Sequence, residues 1–247
     1  MLLLVVGGPA FLIGGRYWVG HVGLDDAVAR FRAAGSSGAA ADAAPDGLPQ
    51  PGVYQYRTTG GERISFLDYQ RKYSSTTMRI VTRRGCGVRE QQWFLIQHME
   101  YYDRCPDGSL AGYGTDIAYW WTHGTQSFVC AAGGSFDMAG TGRAPGDRVT
   151  WSCHDEDTRA DQVTTYVGDE PVQIAGQLLV ARHTQWVTTF SGATRGTATV
   201  DDWFDPKTGL VLREKREIGL RVGSPFVGQV GYTDSSEFTV LSLTPAR

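Results

Sequence analysis

The chain lacks a dominant charge. Its 247 residues carry 23 basic and 26 acidic side chains, so a general electrostatic pull on nucleic acid is excluded. Helical periodicity is scarce after residue 33, which leaves an all-β domain as the expected class. No Gly-x-Ser-x-Gly elbow, Gly-rich phosphate loop or His-Glu-x-x-His is present, so no motif selects an enzyme class and no cofactor is expected. Metal-ligand spacing is missing too, because no two of the four cysteines stand two to four residues apart. "CHDED" looks metal-like by composition only and reads as a solvated acidic turn. Beyond Ile13 no apolar run is long enough to span a bilayer.

What the chain does have is glycine, at 32 residues, and aromatics, at 11% with seven Trp and eleven Tyr. Many turns with many large side chains suit short strands in a sandwich, a barrel or a curved sheet. The start is different. "MLLLVVGGPAFLIGGRYWVG" is apolar from Met1 to Ile13 and then meets Arg16, Tyr17 and Trp18. With Arg16 snorkelling and the aromatic pair at the headgroups, residues 1–23 read as an uncleaved membrane anchor, favoured over a cleaved signal or a buried strand. Residues 24–33 follow as a short amphipathic helix with Leu24, Val28 and Phe31 on one face, acids first and arginines last. Residues 34–51, rich in Ala, Gly, Ser and Pro, read as a flexible tether, and the β domain is expected over 52–247.

Orientation has two opposing indications. Arg16, Arg30 and Arg32 follow the apolar run and no basic residue precedes it, which by the positive-inside rule keeps the domain in the cytoplasm. Against that, Cys86, Cys105, Cys130 and Cys153 all fall in the β domain, and an even number there indicates disulfides in an oxidising compartment. The cysteines carry more weight, so the domain is expected outside the cytoplasm. Successive strands of a meander favour Cys86–Cys105 and Cys130–Cys153 over the other two connectivities.

From Val53 the chain reads as hairpins, with turns at Gly60–Gly61, Gly85–Gly87 and Pro106–Gly108, and about ten or eleven antiparallel strands in all. His21, His98, His123, His154 and His183 are scattered singly, and the carboxylates at Asp201–Asp202 and 155–157 read as solvated turn charge. Arginines in "TRRG" and "REKRE" read as an outer face that resists aggregation. The aromatic stripe is more informative. Trp93, Tyr119 and Trp121 alternate on strands in the middle of the meander, and they are the candidate ligand-binding residues if a curved sheet leaves its concave face unfilled. A packed core would use the same side chains.

"WFDPKTGLVLREK", from Trp203, resembles the hairpin of bacterial lipoprotein-carrier-like domains, the LolA/LolB and RseB-like group. Pro206 fixes φ at the turn's entry, Gly209 supplies positive φ, and Leu210 restarts the inward face. Trp203 and Leu210 are then expected in one layer, with Arg213, Lys215 and Glu217 in solvent. The resemblance implies a half-open barrel whose concave face holds an acyl chain or a partner segment. The chain departs from that group in offering no helices to cover the mouth and in its two expected disulfides, and no ligand residue carries over. More broadly it resembles the anchored, extracytoplasmic proteins common in high-GC actinobacteria. The expected function is non-enzymatic: docking of another envelope protein through a curved sheet, or alternatively carriage of a lipid or other apolar ligand.

Overall fold

Alternation between glycine-rich turns builds thirteen antiparallel strands among the described residues, more than the hairpin reading anticipated. The computed structural model describes residues 19–35, 47–119, 122–131, 143–224 and 228–247. A helix α1 (Leu24–Ala33) precedes β1 (Gly52–Ile64), β2 (Tyr69–Lys72), β3 (Thr76–Arg84), β4 (Gly87–Leu95), β5 (His98–Arg104) and β6 (Leu110–Tyr119). Then come β7 (Thr122–Cys130), β8 (Arg148–His154), β9 (Thr158–Ile174), β10 (Gln177–Gly192), β11 (Arg195–Phe204), β12 (Val211–Ser224) and β13 (Gly228–Val240). From β3 to β13 each strand pairs with the next.

The sheet closes. Tyr56–Ile64 of β1 pair with Val240–Tyr232 of β13, so the half-open barrel expected from the hairpin is a closed one. β2 and β3 share one position alongside β1, against residues 61–64 and 52–57 respectively, so thirteen strands make twelve staves. Gly60–Gly61 is therefore not a turn. It lies inside β1 where pairing passes from β3 to β2, and a Cβ on either glycine would collide with a facing carbonyl, of Ser235 or Arg71.

The turns at the β1-start end are local chemistry. Asp205 accepts from the Lys207 amide at 3.1 Å and the Thr208 hydroxyl at 2.7 Å, and Gly209, at φ +62°, donates back to the Asp205 carbonyl at 2.8 Å. Leu48 is buried at this same end, Leu210 packs in the same cluster, and Gly47 approaches Gly209 closely. Both disulfides form as the meander favoured. Cys86–Cys105 joins the β3–β4 and β5–β6 turns, and Cys130–Cys153 bridges directly opposed residues of β7 and β8.

Two elements pack on the outside of the wall. The first is α1, whose buried Ala27 and Phe31 cover Val53, Met78 and Ile80, with Val22 in the same cluster. Val19–Gly23, read from the sequence as the end of the anchor, and Leu48, read as tether, thus belong to the folded body. Residues 1–18 lie outside the described residues, among which no helix is long and apolar enough to cross a membrane. The second is an arm formed by the far halves of β9 and β10, which bends at a register shift between His183 and Thr184. Trp203 clasps it: the His183 ring stacks at 4.2 Å, and the indole Nε1 donates to Glu170 at 2.8 Å. Trp203 and Leu210 do share one cluster, but Trp203 stands on the outer face, opposite Arg213 across the ladder, with the guanidinium 4.7 Å from its ring. Cross-strand partners share a face, so Trp203 is buried by the arm and not by the barrel interior.

Phe31→Ala and Trp203→Ala should each cost about 3–5 kcal/mol, as expected for deleting a large buried aromatic, whereas Arg83→Ala on the exposed β3 end should stay within about 0.5 kcal/mol. Urea midpoints with an unchanged slope check all three; a wild-type midpoint for Phe31→Ala would mean α1 does not hold to the barrel.

Candidate functional site

Strand alternation decides what enters the barrel. Inward positions at the end with Leu48 carry charge. Arg79 pairs with Glu214 at 2.7 Å and bonds Gln92 at 2.9 Å, and Arg104 pairs with Glu90 and donates to the Gly209 carbonyl at 3.1 Å. Higher up, Arg216 grips Glu100 with two bonds of 2.7 and 3.0 Å, and His98 lies between Glu62 at 2.8 Å and Glu100 at 3.5 Å. Arg71 pairs with Glu62 and donates to the Ala118 carbonyl at 2.7 Å, bridging β2 and β6, which share no ladder among the described residues. Four arginines and His98 thus face six carboxyl groups, Asp202 and Asp234 included.

The electrostatics follow from burial and pairing. Burial alone would lower His98, but Glu62 and Glu100 hold it up at about 9, so it is an imidazolium at neutral pH. Burial would raise Glu100, yet Arg216 and His98 keep it well below the usual carboxylate range. Asp202 goes the other way: burial, reinforced by Glu214, pushes it well above its ordinary value, and its Oδ1 makes no hydrogen bond among the described residues.

Above this network the interior is apolar and unfilled. A cavity of about 240 Å³ is walled by Ile117, Tyr119, Phe128, Trp186, Ile218 and Val222 among others, and floored by His98, Glu100 and Arg216. Tyr113 also lines it, stacked 4.5 Å from Phe128, and its buried hydroxyl has no hydrogen-bond partner among the described residues. A ligand oxygen placed there would accept a hydrogen bond from it. Among the described residues no group of three or more His, Cys, Asp or Glu is arranged to hold a metal ion.

The three aromatics picked from the sequence separate. Tyr119 lines the cavity, with the Arg71 guanidinium 4.2 Å from its ring. Trp93 faces outward under α1, with Arg30 at 4.4 Å from its ring, because it pairs with Met99 on the outer face while His98 and Ile117 pair on the inner one. The inward position on β4 belongs to Phe94. Trp121 lies outside the described residues. Sequence reasoning missed the network altogether. Asp202 and Arg216 read from sequence as solvated, and the available signal is that "DDWF" and "REKRE" carry charge at both strand parities, so one face of each has to bring charge inward.

His98 gives a pH prediction. A folded value near 9 above the ordinary 6.5 means its stabilisation is complete below about pH 6.5 and lost as pH rises through about 9. Melting temperature should fall across that interval, and His98→Gln should flatten the fall while costing about 3–5 kcal/mol at pH 6, as for a broken buried ion pair. A wild-type melting curve level from pH 6.5 to 9 would mean that His98 is neutral in the barrel.

No family model matches the chain, and no curated protein matches it. Among solved structures it is similar to the hypothetical lipoprotein YmcC from Escherichia coli, at 14% identity and a TM-score of 0.40, covering 91% of this chain and 98% of that one. It is also similar to a provisionally assigned lipoprotein from Parabacteroides distasonis, at 10% identity and a TM-score of 0.31, covering 78% of this chain and 99% of that one.

Proposed function

We propose that this chain is a non-enzymatic, membrane-tethered binding module outside the cytoplasm that holds one acyl chain of an amphiphile inside its barrel. The observation that carries this is the apolar cavity itself. At about 240 Å³ it exceeds the ~150 Å³ that takes a benzene ring and falls short of the ~300–1,000 Å³ typical of bulkier ligands, which suits a single chain better than an enclosed two-chain lipid. The charged floor is already paired within the protein, so it asks for no ionic head, and the Tyr113 hydroxyl favours an uncharged acceptor such as an ester oxygen. The perturbed groups facing the cavity, His98 and Glu100, are committed to their ion pairs and present no free base or nucleophile.

Placement outside the cytoplasm draws support from the two disulfides, and the tether from the run Met1–Ile13. The rival reading, an open curved sheet that docks an envelope protein, loses its concave face to the β1–β13 closure. It keeps exposed apolar side chains such as Leu178 and Val180 on the arm, 75% and 64% exposed, and Val129 on β7.

Native mass spectrometry of the full chain extracted from its own membranes should find one amphiphile bound. Ala198→Trp, which fills the cavity from its wall, should lose that adduct and bind the fluorescent fatty acid cis-parinaric acid at least tenfold more weakly. An empty wild-type barrel, together with equal probe binding by Ala198→Trp, would overturn the proposal.

A further inference from the structure

The two ends of the barrel are not equivalent. At one, Leu48, the 205–210 turn, the Cys86–Cys105 disulfide and the charged network close the interior. At the other lie the turns Phe66–Asp68, 96–97 and 193–194, and the outermost cavity residues Ile64, Val222, Val230 and Tyr232, which face one another where β1, β12 and β13 end or begin. This second end is the mouth.

The chain enters the folded body at the mouth end. The Gly20 carbonyl accepts from the Ile96 amide at 2.9 Å, and the Gly20 amide donates to the Gln97 side chain at 3.3 Å, both in the β4–β5 turn. From there α1 runs down the outer wall to the closed end, where Arg32 donates to the Arg247 carbonyl at 2.9 Å beside the Val53–Ala246 bridge. Upstream, the residues between Ile13 and Val19 can span roughly 20 Å even fully extended. The thirteen residues of β1, at ~3.3 Å each and a tilt of roughly 40°, give the wall a height of about 30 Å. A tether fixed at the mouth end is therefore too short to let the closed end face the membrane.

We infer that the barrel is held with its cavity mouth against the lipid bilayer, so that an acyl chain passes between membrane and barrel without crossing water. For the ligand this rests on the container reading above; for the orientation it rests on the Gly20–Ile96 junction and the apolar run Met1–Ile13. Ile96, 42% exposed beside the junction, adds an apolar contact on the side presented to lipid.

Hydrogen exchange on the full chain tests it, in nanodiscs of phosphatidylethanolamine and phosphatidylglycerol against the same chain in detergent. Amides of the 66–68, 96–97 and 193–194 turns should slow several-fold in nanodiscs, while those at 85–86, 107–109, 175–176 and 207–209 stay unchanged. A long Gly/Ser spacer inserted between Trp18 and Val19 should erase the difference. Slowing at the closed-end turns, or at neither end, would overturn the orientation. Native mass spectrometry of the same samples separates the two ideas: an adduct without mouth protection sinks only the orientation, and mouth protection without an adduct sinks only the container.

Discussion

Closure of β1 on β13 is the constraint from which the other features descend. About eight staves make a barrel whose interior side chains can fill, and sixteen or more leave a channel. Twelve staves leave an interior too wide for Leu, Val and Phe to pack across. Long side chains that meet from opposite walls answer part of that problem: Arg79 on β3 reaches Glu214 on β12, and Arg216 on β12 reaches Glu100 on β5. Where such pairs stop, the cavity begins.

A buried ion pair adds little net stability, but removing one partner strands the other charge at a cost of about 3–5 kcal/mol. The network therefore does more to specify one barrel than to strengthen it, since a slipped register would leave charges unpaired in the interior. Net stability comes from elsewhere. Phe94, Phe238 and Tyr73 pack at the network's edge with ring centroids 5.1–6.3 Å apart, α1 buries Phe31 on the outer wall, and the arm covers Trp203. The two disulfides tie the β3–β4 turn to the β5–β6 turn and β7 to β8.

Function follows from the same division of the interior. The proposed container rests on a charged floor paired within the protein and an apolar cavity above it, where the Tyr113 hydroxyl has no partner among the described residues. In the proposed orientation the cavity opens on the side where Gly20 joins the β4–β5 turn. The same geometry sets the charge at the floor: Glu62 and Glu100 hold the His98 imidazole well above its ordinary value.

Local patterns determined a good part of this protein from sequence. The class, the antiparallel meander, the Pro106–Gly108 and Asp205–Gly209 turns, the helix at Leu24–Ala33 and the favoured cysteine pairing all depend on residues near one another in the chain, so alternation and turn chemistry reveal them. Closure did not show, because Tyr56 meets Val240 across almost the whole chain and no local signal marks which strands become edges. Nor did the inside of the barrel. A period of two says that Arg213 and Glu214 face opposite ways but not which way is in, and at Trp93 and Tyr119 that choice put one aromatic under a helix and the other on the cavity wall. Gly60–Gly61 has the composition of a turn and is a strand, because neighbours on both sides press against it and leave no room for a side chain. Only the tertiary structure could decide these points, since each depends on which distant strand arrives on either side.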